Sequence, residues 1–96
     1  MRIEFSPLAQ QELLEALEYV ARDNPEASKQ VETRILKHIT LLASQVAHGR
    51  PVTLKSGRTV SSWSVPPYRI YYRIREDTLE VIRVHHQARR PIERGD

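Results

Sequence analysis

The first half of the chain carries hydrophobic residues at helical spacing after a short alternating start. Arg2-Ile3-Glu4-Phe5 alternates polar and apolar residues, which predicts a short strand. Ser6-Pro7 predicts a helix start, because the hydroxyl can cap the helix and proline is tolerated in its first turn. Helical spacing continues to about residue 22, and Asn24-Pro25 begins a second helix that runs to about residue 46. So short a turn predicts an antiparallel helix hairpin.

The second half changes to the period of two that strands show. The pattern predicts strands at 59–65, 68–74 and 79–86, with a turn at Pro66-Pro67 and a tight connection at 75–78. Residues 49–58 are predicted to form a loop, and the polar tail after about residue 87 is predicted to be flexible. The order β-α-α-β-β-β predicts a single α+β domain over residues 1–96. In it, the helix hairpin packs on one face of a mostly antiparallel sheet.

Strand alternation also predicts which side chains point away from the helices. In the strand at 68–74, the residues predicted to face the helices are Ile70, Tyr72 and Ile74. In the strand at 79–86, they are Ile82 and Val84. The opposite, open face of the sheet then carries Arg69, Tyr71, Arg73, Val81, Arg83 and His85. The sequence therefore predicts that arginines, a tyrosine and a histidine share the open face.

Charge is distributed unevenly between the two halves. Residues 1–48 have 5 basic and 7 acidic side chains, a net charge of −2, whereas residues 49–96 have 10 basic and 5 acidic ones, a net charge of +5. The basic half predicts a surface for an anionic partner, either nucleic acid or an acidic protein segment. The alternative is a solvated basic face that only complements the acidic half.

The composition argues against several kinds of chemistry. A chain with no Cys has no disulfide, cysteine zinc site or thiol nucleophile. His85 and His86 are adjacent in a predicted strand and therefore point to opposite faces, so no metal site is expected there. Ser61, Ser62 and Ser64 lack the pattern of a serine hydrolase. Without a GxGxxG or P-loop motif, no cofactor is expected either.

The sequence also argues against a membrane protein. No apolar run approaches the ~20 residues that a membrane span needs. The start of the chain lacks the apolar stretch of a secretory signal peptide. We therefore expect a cytoplasmic location and no membrane partner.

The cations around the last two strands are the candidate binding residues. Arginine offers a planar, charged fork for phosphate, and Tyr71 and Trp63 could stack on bases if they share a face. Structural roles are the alternative, because aromatic residues in strands are usually core, as is expected of Tyr68, Tyr72 and Trp63. For Arg69, a buried ion pair is as reasonable as a ligand contact. The candidate residues for binding a partner are Arg69, Arg73, Arg83, His85, His86, Arg89 and Arg90.

Two segments carry a more specific pattern. They are Val-Pro-Pro-Tyr-Arg-Ile-Tyr-Tyr-Arg-Ile at 65–74 and Val-Ile-Arg-Val-His-His-Gln-Ala-Arg at 81–89. With Ser6-Pro7 and Asn24-Pro25 at the two helix starts, they resemble the RelE/ParE superfamily of toxins from type II toxin–antitoxin systems. The likeness covers residues 2–91 and implies a helix hairpin on an antiparallel sheet. It also implies one of two activities.

RelE-like members cleave mRNA in the ribosome. For them, the resemblance implies cations that hold the scissile phosphate and a group that transfers a proton. In this chain, His86 would take the place of the proton-transfer group. The candidate catalytic residues under this alternative are Lys55, Arg58, Arg69, His86 and Arg89. The chain departs from the pattern, since Gln87 stands where a catalytic arginine is expected and Glu93 stands near an expected tyrosine.

ParE-like members resemble the chain better, because their closing His-x-x-Arg pattern matches His86 and Arg89. For this branch, the resemblance implies inhibition of DNA gyrase by protein contact, growth arrest and plasmid stabilisation, with no catalytic residue in the toxin. It also implies a cognate antitoxin whose C-terminal segment wraps around the toxin. A ParE-like gyrase inhibitor is therefore the favoured interpretation, with the ribosome and mRNA as the alternative target.

Overall fold

Two helices and five strands make up residues 1–95, the part of the chain that the computed structural model describes. They are β1 (Arg2–Phe5), α1 (Pro7–Asp23), α2 (Pro25–Ala43), β2 (Arg50–Thr53), β3 (Thr59–Val65), β4 (Tyr68–Arg75) and β5 (Thr78–His86). This is the predicted order with one strand, β2, added. Within residues 1–95, no helix is long and apolar enough to cross a membrane.

The helix hairpin begins and turns at the predicted capping residues. The side chains of Ser6 and Asn24 each accept a hydrogen bond from the backbone N–H three residues further on, at 3.0 and 3.1 Å. A proline follows each cap in the first helical turn. α2 ends at Ala43, earlier than the predicted residue 46. The chain leaves the helix there because Gln45 adopts a φ of 63°, which lies in the left-handed region.

The sheet has the strand order β1-β5-β4-β3-β2. β1 runs parallel to β5, and the other neighbours are antiparallel, so the predicted helix hairpin on a mostly antiparallel sheet is confirmed. The hairpin packs on one face, where aliphatic side chains of α2 meet those of the sheet. The most fully buried members of this helix-side core are Ile35, Ile39, Leu42, Val65, Ile70, Leu79 and Val81.

The prediction of a loop over 49–58 is wrong for its first half. Arg50–Thr53 forms the edge strand β2, which pairs antiparallel with β3. Only four residues take part, and Pro51 cannot donate a backbone hydrogen bond, so a proline there argues against a strand interior. The sequence pattern therefore does not predict β2, although an edge strand can accommodate a proline.

The predicted alternation along β5 is also wrong, because a β-bulge interrupts it. Tyr71 pairs with Arg83 and Tyr72 pairs with Val81, so Ile82 is left without a partner on β4. The extra residue reverses the alternation from that point on. Val81 and Val84 therefore both belong to the helix-side core, and Ile82 lies on the open face. The prediction had placed Val81 on the open face and Ile82 towards the helices.

A second, smaller apolar cluster lies on the open face. Its buried members are Val52, Leu54, Val60, Tyr71 and Ile82, with Ile92 of the tail packed against them. The tail is held at its end: Lys55 N donates to the Ile92 carbonyl at 2.8 Å, and Arg94 N donates to the Thr53 carbonyl at 2.7 Å. The expected flexible tail is therefore corrected for residues 92–94, because burial of Ile92 and these backbone bonds anchor the segment. We call residues 91–95 the C-terminal strap.

Candidate functional site

A groove of about 520 Å³ runs between α1 and the ends of β4 and β5. Its lining includes Tyr19, Tyr68, His86 and Arg89. Tyr19 is 71% exposed, which is unusual for a large aromatic ring on a helix that faces a core. We call this feature the α1 groove. An exposed aromatic residue above a partly apolar floor suits protein contact better than small-molecule chemistry.

The floor of the α1 groove is formed by two aromatic rings. Tyr68 and His86 pack edge to face with their ring centroids 5.3 Å apart, as offset aromatic pairs prefer. The His86 ring is fixed further, because Ala88 N donates to His86 Nδ1 at 3.1 Å. Burial raises the pKa of Tyr68, although the nearby charges of Arg89 and Arg34 act against that rise. The Tyr68 hydroxyl therefore stays protonated at neutral pH.

One ion pair joins α1 to the last strand. Arg83 donates from Nε and Nη2 to the two carboxylate oxygens of Glu12, at 2.9 and 2.7 Å, and Val84 N donates to the same carboxylate at 3.0 Å. β1 ends at Phe5, so the backbone of β5 beyond that point has no neighbouring strand on this edge. The Glu12 carboxylate accepts the hydrogen bond of Val84 N there, which would otherwise lack a partner. The hydrogen bond to Glu12 is the main cause that raises the pKa of Arg83. This arginine thus has a structural partner.

The open face of the sheet places polar side chains in two neighbouring rows. Arg50 pairs with Ser62, which pairs with Tyr71; Ser64 pairs with Arg69, which pairs with His85. Partners directly across a strand pair have Cβ atoms about 5 Å apart, so each row is a contiguous surface. Arg69 Nη1 donates across the rows to Ser62 Oγ at 2.7 Å. The prediction that Arg69, Tyr71 and His85 share the open face is confirmed.

The C-terminal strap lies over these rows and brings a carboxylate with it. Tyr71 Oη donates to Glu93 Oε2 at 2.6 Å, and Arg50 Nη2 lies 3.6 Å from Glu93 Oε1. Burial, followed by the hydrogen bond to Glu93, raises the pKa of Tyr71 well above its ordinary value. Tyr71 therefore acts as a permanent donor that holds the strap. The sequence does not predict this contact of Glu93, because Tyr71 lies 22 residues earlier in the chain.

His85 is the most unusual group on the open face. Its side chain is only 8% exposed, and among the described residues its Nε2 has no hydrogen-bond partner. Burial is the first cause that lowers the pKa of His85, and the charge of Arg83 is the second. The imidazole is therefore neutral at pH 7 and offers one unused ring nitrogen.

The other predicted site residues lie apart from one another. Arg73 is paired with Glu80 at 2.6 Å on β4 and β5. Lys55 and Arg58 are exposed in the connection between β2 and β3, and Arg90 is exposed after β5. Trp63 and Tyr71 do not share a face, so the condition for both to stack on bases is not met. Trp63 lies on the helix side, where its Nε1 donates to His38 Nδ1 at 3.0 Å.

The two histidines of β5 face different surroundings, as predicted. His86 pairs with Tyr68 and lines the α1 groove. His85 pairs with Arg69 on the open face, and it lines both that face and the groove. Lys55 and Arg58 lie in the connection between the paired residues Thr53 and Thr59. Thr59 is five residues along β3 from Ser64, the partner of Arg69, which corresponds to about 17 Å. The candidate catalytic set is therefore divided among three places. Within residues 1–95, no group of three or more His, Cys, Asp and Glu side chains could hold a metal ion.

Known proteins resemble this chain in sequence and in fold. Its residues 3–91 match the model of the family described as the ParE toxin of the type II toxin–antitoxin system, parDE. Y4kP of Sinorhizobium fredii, described as a candidate toxin, is 36% identical over 85 residues, which cover 88% of this chain and 86% of that protein.

Two solved structures share the fold. A chain of the chromosomal ParDE toxin–antitoxin system from P. aeruginosa superposes with a TM-score of 0.72 at 15% identity. The YoeB dimer from Staphylococcus aureus does so with a TM-score of 0.58 at 20% identity. Each match covers 90% of this chain and 95% of the other. The family match spans nearly the whole domain, and the chain belongs to the ParE toxin family of type II toxin–antitoxin systems.

Proposed function

We propose that this ParE-family toxin inhibits DNA gyrase by protein contact and is neutralised by a cognate antitoxin. The observation that carries the proposal is the separation of the groups that a nuclease would need together. His86, the available general base, lies in the α1 groove, while Arg69 lies on the open face. General acid–base catalysis needs the proton-transfer group within about 3 Å of the reacting atom. An inhibitor that acts by contact needs no such assembly.

The alternative is ribosome-dependent mRNA cleavage, and the open face is what favours it. Arg50 and Arg69 could approach a phosphate there, and the YoeB structure shares the fold. Glu93 acts against this alternative, because its carboxylate occupies the same face and would repel an RNA backbone. The chain also contains no tyrosine after Tyr72. The contact inhibitor is therefore the better-supported function.

The α1 groove is the surface that we assign to the antitoxin. Its partly apolar lining, which includes the exposed ring of Tyr19, suits an amphipathic helix. Arg89 lines the groove as well and can pair with an acidic residue of the antitoxin. The net charge of +5 over residues 49–96 would attract an acidic segment in the same way.

Two assays with the same purified protein test the activity. In a supercoiling assay with purified gyrase, we expect a dose-dependent loss of supercoiling and the appearance of cleaved DNA. In a translation reaction with ribosomes and a defined mRNA, we expect the mRNA to remain intact. Full supercoiling at excess toxin, together with ribosome-dependent cuts in the mRNA, would reverse the assignment.

The antitoxin surface is tested by binding of the product of the adjacent reading frame. Tyr19→Ala should weaken binding by about tenfold, because aromatic anchors dominate interfaces. Val46→Ala is the matched control, since Val46 is 75% exposed but lies outside the groove. The association rate should also fall with added salt, because charges are screened beyond roughly 8–10 Å. Equal affinities of the two variants would place the antitoxin elsewhere.

A further inference from the structure

The two edges of the sheet are finished differently. At the β2 edge, the C-terminal strap continues the pairing, since Leu54 bridges Glu93 and Lys55 N donates to the Ile92 carbonyl at 2.8 Å. At the other edge, no strand lies beyond β1 within residues 1–95. An uncovered edge offers a row of backbone N–H and C=O groups to another chain, and most proteins cover, bend or interrupt it. β1 is therefore the edge that is open to a partner strand.

The hydrogen bonds to β5 show which backbone groups of β1 are available. Arg2 N and Ser6 N donate to carbonyls in and just before β5, at 2.8 and 2.9 Å. Along a strand, successive residues direct their backbone groups to opposite sides, so the odd-numbered residues between these two point the other way. The N–H and C=O groups of Ile3 and Phe5 therefore face the open edge.

The side chains of β1 differ between the two faces of the sheet. Phe5 packs against the helix-side core, and Ile3, two residues earlier, lies on the same face and is 40% exposed. The side chains of Arg2 and Glu4 lie on the opposite face and are 74% and 50% exposed, with Arg2 Nη2 2.6 Å from Glu4 Oε1. One face of this edge is thus apolar, and the other carries one charge of each sign.

These positions make the strand complementary to itself. In an antiparallel pair of two β1 strands, the groups that face the open edge must lie opposite each other, which allows Ile3 to pair with Ile3 of a second copy. Arg2 then faces Glu4 of the second copy, and Glu4 faces its Arg2. A shift of two residues in one direction sets Glu4 against Glu4, and in the other direction it sets Arg2 against Arg2. The charges therefore favour one register, which is centred on Ile3.

We propose that β1 is the interface of a weak homodimer, in which two copies pair antiparallel about a two-fold axis at Ile3. Such an axis brings the same patch of both copies together, as the self-complementary order Arg-Ile-Glu requires. Backbone hydrogen bonds between the Ile3 residues and reciprocal Arg2–Glu4 pairs hold the copies together. The strand is only four residues long, so the interface is small and its association depends on concentration. No β1 residue lines the α1 groove, so the dimer is independent of the proposed function.

A strand from another protein is the alternative occupant of this edge, because any extended chain can form the backbone bonds. A second copy is favoured because it supplies an acidic residue opposite Arg2 and a basic residue opposite Glu4 in the one register that pairs both. The two occupants differ in what the isolated toxin does, since only the homodimer forms without a further partner.

Sedimentation equilibrium of the isolated full-length toxin tests the dimer over concentrations from about 1 µM to about 1 mM, where weak interfaces associate. We expect the average mass to rise from that of the monomer towards twice that value. Amide exchange measured by NMR should slow at Ile3 over the same range, since its N–H becomes hydrogen-bonded. A monomer throughout overturns the proposal. An Ile3 amide that is protected only after the antitoxin is added overturns it as well and assigns the edge to the antitoxin.

Charge reversal at the edge gives a sharper test. Glu4→Arg sets arginine against arginine, and Arg2→Glu sets glutamate against glutamate, so each variant should dimerise about tenfold more weakly than the wild-type protein. Glu18→Arg is the matched control, because it makes the same charge change as Glu4→Arg at an exposed site on α1. Equal weakening by Glu4→Arg and Glu18→Arg would reflect net charge alone and would overturn the assignment to β1.

Mixing the two edge variants should restore the pairing. Between one copy of Arg2→Glu and one copy of Glu4→Arg, every charged contact in the Ile3-centred register joins an acidic and a basic residue. The mixture should therefore dimerise at least as well as the wild-type protein, and a mixture that associates no better than either variant alone contradicts the register. If either variant does not fold, the wild-type exchange at Ile3 still decides the proposal. Because no gyrase or ribosome is present, a negative result leaves the proposed function untouched.

Discussion

His85 and His86 are neighbours in β5, yet they meet very different surroundings on the two faces of the sheet. On the helix side, His86 packs against Tyr68, and its Nδ1 accepts a hydrogen bond from Ala88 N. On the strap side, His85 is buried, and its Nε2 has no hydrogen-bond partner within residues 1–95. The comparison teaches that one scaffold presents two kinds of surface. The α1 groove offers exposed aromatic area, whereas the open face holds the buried imidazole of His85 beside Arg69.

The two sides also differ in how they are closed. The helix side is sealed by a continuous aliphatic core, and its edge is tied by the Glu12–Arg83 pair. The strap side has a small cluster closed by one segment, held through Glu93 and a few backbone bonds. Local stability follows burial and hydrogen bonding, so the strap is expected to open more readily than the helix side.

The largest loss of stability is expected on the helix side, from Glu12→Ala. The side chains of Arg83 and Glu12 are 23% and 15% exposed, so the variant leaves a mostly buried cation unpaired, and Val84 N loses its acceptor. We expect a loss of about 3 kcal/mol in the free energy of unfolding, measured by urea denaturation. Glu15→Ala on the same helix is the control and should stay within about 0.5 kcal/mol. Similar values for both would show that the pair does not hold the edge.

The second prediction separates the two sides with a pair of tyrosines. Tyr71→Phe removes the donor to Glu93, and we expect a loss of about 1 kcal/mol, with faster amide exchange at Lys55 and Arg94. Tyr72→Phe, its neighbour, removes the acceptor of Gly49 N on the helix side. It should cost a similar amount and leave exchange in the strap unchanged. Faster strap exchange in both variants would mean that the two sides are coupled.

The fold was largely predictable from the sequence because its determinants are local. Ser6 and Asn24, each followed by proline, mark the helix starts, and the change from helical spacing to a period of two marks the strands. β2 was not predicted because it is short and contains Pro51. The bulge at Ile82 was not predictable, because the adjacent apolar residues Val81 and Ile82 fit the strand pattern equally well with or without an inserted residue.

The candidate site was less predictable, since it depends on contacts between distant residues. Alternation placed Arg69 and His85 on one face, and the strand pairing agrees. Glu12 is one of three glutamates in α1, and nothing in its local sequence distinguishes the one that reaches Arg83. The contact of Glu93 with Tyr71 likewise depends on where the tail lies after β5. Such pairings are set by tertiary packing and leave no periodic pattern in the sequence.

The third prediction concerns the pH dependence of the strap side. The pKa of His85 is lowered from 6.5, first by burial, so the unfolded chain binds a proton at a higher pH than the folded one. Stability is therefore complete above about pH 6.5 and decreases as the pH falls below that value. We expect the urea midpoint to decrease between about pH 7 and pH 5.5 in the wild-type protein and to decrease less in His85→Gln. His48→Gln, an exposed histidine variant, should keep the wild-type slope, and an equal slope in His85→Gln would contradict the prediction.

The smallest change in stability, with a large change in function, is expected from Arg89→Ala. Arg89 is exposed and, like His85, lines both the α1 groove and the space between the open face and the C-terminal strap. Its loss should alter the free energy of unfolding by no more than about 0.5 kcal/mol. It should nevertheless abolish growth arrest when the toxin is expressed alone.

Arg90→Ala provides the matched control, because Arg90 is the exposed neighbour and lines neither surface. It should remain toxic. Arg89→Lys then separates charge from geometry: full toxicity would show that a positive charge is sufficient, and loss of toxicity would show that the planar fork is needed. A folded Arg89→Ala variant that remains fully toxic would remove Arg89 from the functional surface. An unfolded one would instead give Arg89 a structural role.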